Sequence, residues 1–414
     1  MYRTNIRRPG TRAVVAVASL ALVAGACGGD DDDAADPTDA PAPATEADGT
    51  EPAPATDPAP ATTSAEPAPG TTAVDTTVPG TAPAGGIDPD RCATNEAAGT
   101  ITYASSFDFA AAASIIDVVV AEEKGYFDEL CLDVELVPGF STTNYPLISA
   151  GTAHFSSAGN YTEILNFTAA GGEFVALVDY GKAPIEALVT PGDGATALAD
   201  LEGKVVGVKG DIPPSIVAML ASNGLSRGSG YQEVLLDGFD PISQLEQVDA
   251  LPVYKSNEPG QLDAAGVAYT MFDPAAEGIP GSFGLLYTSA EFAAANPTVV
   301  EDFVRAALKG MEDAIADPAG AVELSMARID AAGNQAFLTQ EGETYRWEQE
   351  LAAVIASTPE GQPVGLIDPA IFEAEYDAYV EAGVWPDGAP DYVEAYDAAP
   401  AAAAYDADGT VIWP

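Results

Sequence analysis

The sequence predicts an α/β fold of two lobes, each a mostly parallel sheet flanked by helices, joined by a hinge that the chain crosses twice. Three observations carry this: a strand–helix–strand unit over residues 101–138, short apolar strands alternating with helical stretches as far as Tyr287, and a purely helical pattern from Ser289 onward. In the opening unit Thr102 to Ala104 is short and β-prone. Ser114 is placed to cap a helix containing Ile115, Val118, Val119 and Ala121, and Gly125 stands where a helix end needs positive φ. Leu132, Val134 and Leu136 then alternate with Asp133 and Glu135, a strand period. A crossover of this length makes the sheet parallel here, and such sheets hold ligands beyond the carboxyl ends of their strands. That rule puts Ser105, Ser106, Phe107, Asp108 and Phe109 at the mouth of a site.

The remaining elements follow in order. Asn144 to Ala150 reads as a short helix ended by Gly151, and Ala153 to Ser156 as a strand leading into Ala158-Gly-Asn-Tyr161. A helix over Thr162 to Ala170, stopped by Gly171-Gly172, precedes strands at Phe174 to Val178 and Glu186 to Thr190. Pro191-Gly-Asp-Gly194 is a turn at a lobe boundary. In the second lobe, Val205 to Val208, Val234 to Leu236 and Val248 to Tyr254 read as strands, with helices at Ile216 to Asn223, after Pro241 and over Gly260 to Ala265. Phe283 to Tyr287 is the return strand, and helices beginning at Pro297, Thr344 and Pro369 should pack back onto the first lobe. The expected division is residues 96–188 with 280–390 for the first lobe, 189–279 for the second, and a C-terminal tail over 391–414.

The 414 residues suffice for one two-lobed domain plus further segments. A net charge of −49 repels nucleic acid and removes it as a partner. Arg3, Arg7, Arg8 and Arg12 precede an apolar run, Ala13 to Ala26, that is too short to span a membrane and suits a signal peptide over residues 1–26. Leu22-Val-Ala-Gly-Ala-Cys27 resembles a bacterial lipobox, which implies lipidation of Cys27; the alternative is ordinary signal cleavage with Cys27 free. Residues 27–95 are acidic and rich in Pro, Ala and Thr, with almost no large apolar side chain, and read as a disordered tether. The remaining cysteines, Cys92 and Cys131, are either free or joined by a disulfide in the oxidising exterior, worth ~3–4 kcal/mol in the chain-entropy account.

Ala121-Glu-Glu-Lys-Gly-Tyr-Phe-Asp-Glu-Leu-Cys-Leu-Asp-Val-Glu-Leu-Val137 resembles the signature of substrate-binding proteins of the NitT/TauT class of ABC importers. Ile148-Ser-Ala-Gly-Thr-Ala-His-Phe155 and Leu201-Glu-Gly-Lys-Val-Val-Gly-Val208 resemble two further blocks, and the likeness covers roughly residues 99–385. The resemblance implies a type II periplasmic-binding-protein fold, lobe closure on a small ligand, delivery to an ABC permease and its ATPase, a monomer, and export to the outer face of the cell membrane. The segment Val248-Asp-Ala-Leu-Pro-Val-Tyr-Lys-Ser-Asn-Glu-Pro-Gly-Gln-Leu262 is similar to a block of thiamine-pyrimidine-precursor binders, although Phe107-Asp108-Phe109 stands where many of those carry a Trp-containing turn.

Enzymatic patterns are missing. His154, the single histidine, sits in a strand and reads as structural; there is no zinc spacing, Gly-x-Ser-x-Gly elbow or Walker lysine, so no catalysis, cofactor or metal is expected. Binding residues are expected in the loops at strand ends: Phe107, Asp108, Phe109, Asn160, Tyr161, Glu186, Asp211, Ser215, Tyr254, Asn257 and Glu258. Only Lys209 and Lys255 supply cations to these loops, whereas acidic and aromatic groups abound, which favours a neutral or cationic heteroaromatic. A thiamine-pyrimidine-like ligand or a flavin-type heterocycle meets this description. The alternatives are a sulfonate, taurine or nitrate held by Lys209 and the helix at Ser215, an enzyme of pyrimidine metabolism, and a wall-associated structural protein.

Overall fold

A computed structural model describes residues 86–238, 240–333 and 338–414. The signal segment, Cys27 and the tether up to residue 85 lie outside these residues. The tether was expected to continue to residue 95, but the chain is already helical in α1 (Pro89–Ala97). Pro89 opens that helix directly after Asp88, whose carboxylate accepts from the Asp90 and Arg91 amides. A disulfide between Cys92 and Cys131 and hydrogen bonds from Arg91 and Asn95 to Asp302, both 2.7 Å, fasten α1 to the first lobe.

The first lobe continues through β1 (Thr100–Ala104), α2 (Ile116–Glu123), α3 (Tyr126–Glu129), β2 (Asp133–Val137), α4 (Ser141–Ser149), β3 (Phe155–Ala158), α5 (Tyr161–Ala169) and β4 (Phe174–Gly181). β2 lies parallel to β1, with Ile101 opposite Val134, as the alternation of Val134 and Leu136 requires. Gly125 has φ 76°, but Ser114 does not cap α2. Ser114 takes a left-handed φ of 68°, and the helix begins at Ile116 without a side-chain cap.

The second lobe comprises β5 (Glu186–Pro191), a 3-10 turn (Leu198–Leu201), β6 (Val205–Val208), α6 (Pro214–Ser222), β7 (Gln232–Leu235), α7 (Pro241–Leu245), β8 (Leu251–Tyr254), α8 (Glu258–Ala264) and β9 (Tyr269–Phe272). Its sheet begins at Glu186, which pairs with Tyr254, rather than at residue 189. β5 runs antiparallel to both β8 and β9, while β6 and β7 pair in parallel and a bridge from Val206 to Ala250 joins the two groups. The expectation of a mostly parallel sheet therefore fails for β5. This strand arrives from the other lobe, so the handed crossover that enforces parallel pairing does not constrain it.

The chain then returns on β10 (Phe283–Ser289), completing a first-lobe sheet of order β2-β1-β3-β10-β4 in which β10 is antiparallel to both neighbours. Helices α9 (Ala290–Ala295), α10 (Pro297–Ala316), α11 (Pro318–Ala332), α12 (Gln340–Ser357), α13 (Pro369–Glu381) and α14 (Ala399–Ala403) follow. The core beneath the first sheet is an aromatic stack: Phe303 of α10 lies 3.9 Å from the Phe155 ring and 4.9 Å from Phe127. Truncating Phe303 should cost about 3–5 kcal/mol. α10 approaches α2 closely because Gly310 has no side chain; a Cβ there would lie 2.0 Å from the Asp117 carbonyl.

Two expectations about the C-terminal part need correction. α12 and α13 pack on both lobes, not on the first alone: Tyr379 of α13 joins the core of Ile216 and Val217, while Phe372 stacks on Tyr161. Residues 391–414 form an integral layer, with Ala401, Ala404 and Val411 in the first-lobe core and the Trp413 ring 4.8 Å from Tyr126.

Candidate functional site

The loops after β1, β3, β6 and β8 converge on a cleft between the lobes, joined by the starts of β5 and β10 and by α12. The cleft holds two adjoining cavities, of about 380 and 520 Å³, within the range of small-molecule sites. The inner one lies at the hinge, between Ile185 and Phe283.

Five predicted residues line this space. Phe107 faces both cavities, its ring 6.0 Å from Phe140 and its face 5.5 Å from the Arg346 guanidinium. The backbone that presents it is held at left-handed φ at Asp108 (49°) and Ser114 (68°). Asp108 lines the outer cavity, and its carboxylate accepts from the Phe109 amide at 2.8 Å. Tyr254, 46% exposed, lines the inner cavity, and the surrounding Glu186, Glu163, Glu258 and Glu350 hold its phenol's pKa up. Asn257 and Glu258 border both cavities. Glu258 is 4% exposed, with one oxygen 2.7 Å from Lys209 Nζ and the other accepting from the Tyr254 amide at 2.9 Å.

Three more form a buried cluster behind the cleft wall. Glu186 accepts from the Ser215 hydroxyl at 3.0 Å and from Asn160 Nδ2 at 3.4 Å, and burial raises its pKa. Asn160 also caps α5, its Oδ1 2.9 Å from the Glu163 amide, so these residues support Glu163 in the inner wall.

The other three are misplaced by sequence reasoning. Phe109 is buried among Ile115, Val119, Ile329 and Leu338. Tyr161 is fully buried, stacked 3.9 Å from Phe372, with its hydroxyl donating to the Val393 carbonyl at 2.7 Å. Asp211 points outward, its side chain 73% exposed and paired with Arg227. Phe109 directly follows the cleft residue Asp108, yet its ring turns into the core. His154 accepts from the Thr102 amide at 2.9 Å, a structural bond.

Sequence reasoning missed Phe140, Glu163, Ser256, Arg346 and Glu350. Phe140 follows the carboxyl end of β2, so the rule that placed Phe107 applies to it equally; it is 53% exposed at the cleft mouth. Arg346 donates to Glu343 at 3.1 Å and to Asn257 Oδ1 at 3.2 Å. Glu350 accepts from the Ala113 amide at 2.7 Å and from the Ser256 hydroxyl at 2.9 Å; burial pushes its pKa up to about 7.

A family described as NMT1/THI5 like matches residues 112–321, half of the chain. The chain belongs to the NMT1/THI5-like family. A curated relative, the riboflavin-binding protein RibY of Chloroflexus aurantiacus, is 32% identical over 192 residues, covering 42% of this chain and 51% of that protein. The chain thus spans about half the length of the curated relative it matches. Among solved structures, the aliphatic sulphonate binding protein SsuA of Escherichia coli is 12% identical with a TM-score of 0.55, over 72% of this chain and 90% of that one. The ligand-binding component of an ABC-type import system from Staphylococcus aureus is 10% identical with a TM-score of 0.53, over 73% and 98%. These likenesses show the fold, that of the two-lobed type II periplasmic-binding proteins.

Proposed function

We infer that this NMT1/THI5-like protein is the extracytoplasmic ligand-capturing component of an ABC importer, taking a planar heteroaromatic nutrient of the flavin class between its lobes and passing it to a permease. The observation that carries the ligand class is that both cations of the cleft are already committed. Lys209 is paired with Glu258 at 2.7 Å, and Arg346 is bound to Glu343 and Asn257. An anionic sulfonate or nitrate needs such groups for itself. What faces the ligand instead is ring surface from Phe107, Phe140 and Tyr254, with carboxylate acceptors for ring N–H donors. The likeness to a riboflavin-binding relative agrees with that chemistry. No catalytic step is needed, and Cys27 with the tether would hold the binder at the outer face of the membrane.

A thiamine-pyrimidine precursor is the second reading. The inner cavity of about 380 Å³ alone would house a single pyrimidine ring.

Thermal stabilisation tests the assignment, with riboflavin, aminopyrimidines, thiamine, taurine, alkanesulfonates and nitrate as probes. A ligand at a hundredfold excess over its Kd adds about 2.7 kcal/mol. Stabilisation by flavins is expected, and by aminopyrimidines alone if the second reading holds. Stabilisation by sulfonates or nitrate alone would overturn the ligand class, and product formation from any probe would overturn the transport reading.

A further inference from the structure

Glu343, Arg346 and Glu350 follow one another at spacings of three and four residues, which puts them on one face of α12, and all three line the cleft. Facing them, the loop leading into α2 presents the backbone amides of Ala111 and Ala113. Two amides and a guanidinium are a donor set suited to a small oxyanion. Here the chain fills it with its own carboxylates. Glu343 Oε2 accepts from the Ala111 amide at 2.8 Å and from Arg346 Nε at 3.1 Å, and Glu350 Oε2 accepts from the Ala113 amide at 2.7 Å. The two carboxylates are 1% and 7% exposed, and both interact with the Arg346 charge. With both ionised, this face carries two negative charges against one positive.

Resting on the reading above that the cleft takes an uncharged ring, we propose that Glu343 and Glu350 are its specificity-determining residues: they are built-in counter-anions that occupy the place of a small oxyanion and so exclude sulfonates and nitrate. An incoming anion must displace a carboxylate that the helix holds in place. The displaced group would be left charged, buried and without its partners, which is costly. Glutamine keeps the shape of glutamate without its charge. Its carbonyl still accepts from the loop amide, but Arg346 then has no charged partner on α12, and an exchangeable anion in the cleft becomes its counter-charge. Lys209 stays committed throughout, because its partner Glu258 belongs to α8.

Titration calorimetry of the full chain with ethanesulfonate and with nitrate tests this. The double variant Glu343→Gln with Glu350→Gln should bind each anion about tenfold or more tightly than the native chain, the gain expected for one freed charge-assisted bond. Adding Arg346→Gln should remove that gain, which a general loss of negative charge does not predict. Glu350→Gln alone, with the Glu343–Arg346 pair intact, should give a smaller gain, and it decides the question if melting curves show the double variant unfolded. No gain in a folded variant, or a gain that survives Arg346→Gln, would overturn the proposal and leave the flavin reading intact. Native binding of either anion as tight as that of the double variant would overturn the exclusion. Riboflavin binding to the native chain is measured separately, so failure of the flavin reading is distinguishable from failure of this one.

Discussion

Glu350 ties α12 to both walls of the cleft, and its second-lobe bond can be removed alone. Its Oε2 accepts from the Ala113 amide in the first lobe at 2.7 Å, and its Oε1 from the Ser256 hydroxyl in the second at 2.9 Å. Ser256→Ala deletes only the contact that lobe opening would break. A hydrogen bond to a charged group contributes about 1.5–3 kcal/mol. If capture and closure are one equilibrium, losing it should weaken affinity about tenfold to a hundredfold. Titration calorimetry with riboflavin measures this, and the cycle with Glu350→Ala isolates the pair: Ser256→Ala should add nothing in that background. Burial raises the Glu350 pKa to about 7, while the Ser256 hydroxyl favours the charged form, so Ser256→Ala should raise that pKa further. An Ser256→Ala affinity within twofold of native, or a full second loss in the Glu350→Ala background, refutes the latch.

Three other outcomes are expected. Phe140→Ala should reduce flavin affinity with little change in Tm, because that ring is 53% exposed, whereas Phe109→Ala should lower stability by about 3–5 kcal/mol through loss of core packing; melting curves and titrations on both variants separate the roles. Cys92→Ser with Cys131→Ser should cost ~3–4 kcal/mol in denaturant unfolding, since the bridge closes a loop with a sequence separation of 39. Asp179 is fully buried and its pKa is raised from 3.8 to about 8 by desolvation, which Lys182, 3.8 Å away, only partly offsets. The folded state holds that proton more tightly than the unfolded chain, so its contribution is full below pH 4 and is lost as pH rises towards 8, at roughly 1.4 kcal/mol per pH unit. Asp179→Asn should flatten this slope in unfolding measured between pH 5 and pH 8.

Where the fold was legible, local rules sufficed. The alternation from Leu132 to Leu136 gave a strand, Gly125 ended the preceding helix, and the length between them set the crossover, all of which the parallel pairing of β1 and β2 bears out. β9 was not legible, because Tyr269-Thr-Met-Phe272 is short, partly exposed and held by β5, a partner far away in sequence. α1 was hidden by composition: Pro89 and Asp90 look like more of the acidic, proline-rich tether, and only Asn95, Cys92 and Arg91 bind the helix to the lobe.

The site divides along the same line. Strand ends are a local property, so Phe107, Asp108, Tyr254, Asn257 and Glu258 could be found by locating carboxyl ends of strands. The facing of a side chain within such a loop is not local, which is why Phe109 went to the core beside Ile329 and Tyr161 to Phe372, each chosen by a partner from the C-terminal helices. Those same helices supply Arg346 and Glu350. In sequence, Glu343, Arg346 and Glu350 read as the solvated face of an exposed helix, the ordinary fate of such charges. The fold buries them because each carboxylate meets a backbone amide of the loop leading into α2, Ala111 for Glu343 and Ala113 for Glu350, and Arg346 then meets Asn257 across the cleft. α12 thus satisfies backbone amides of the first lobe through Glu343 and Glu350 and reaches the second lobe through Glu350 and Arg346. The charge balance that favours an uncharged ligand is thus set by residues more than 200 positions from the loop they complete.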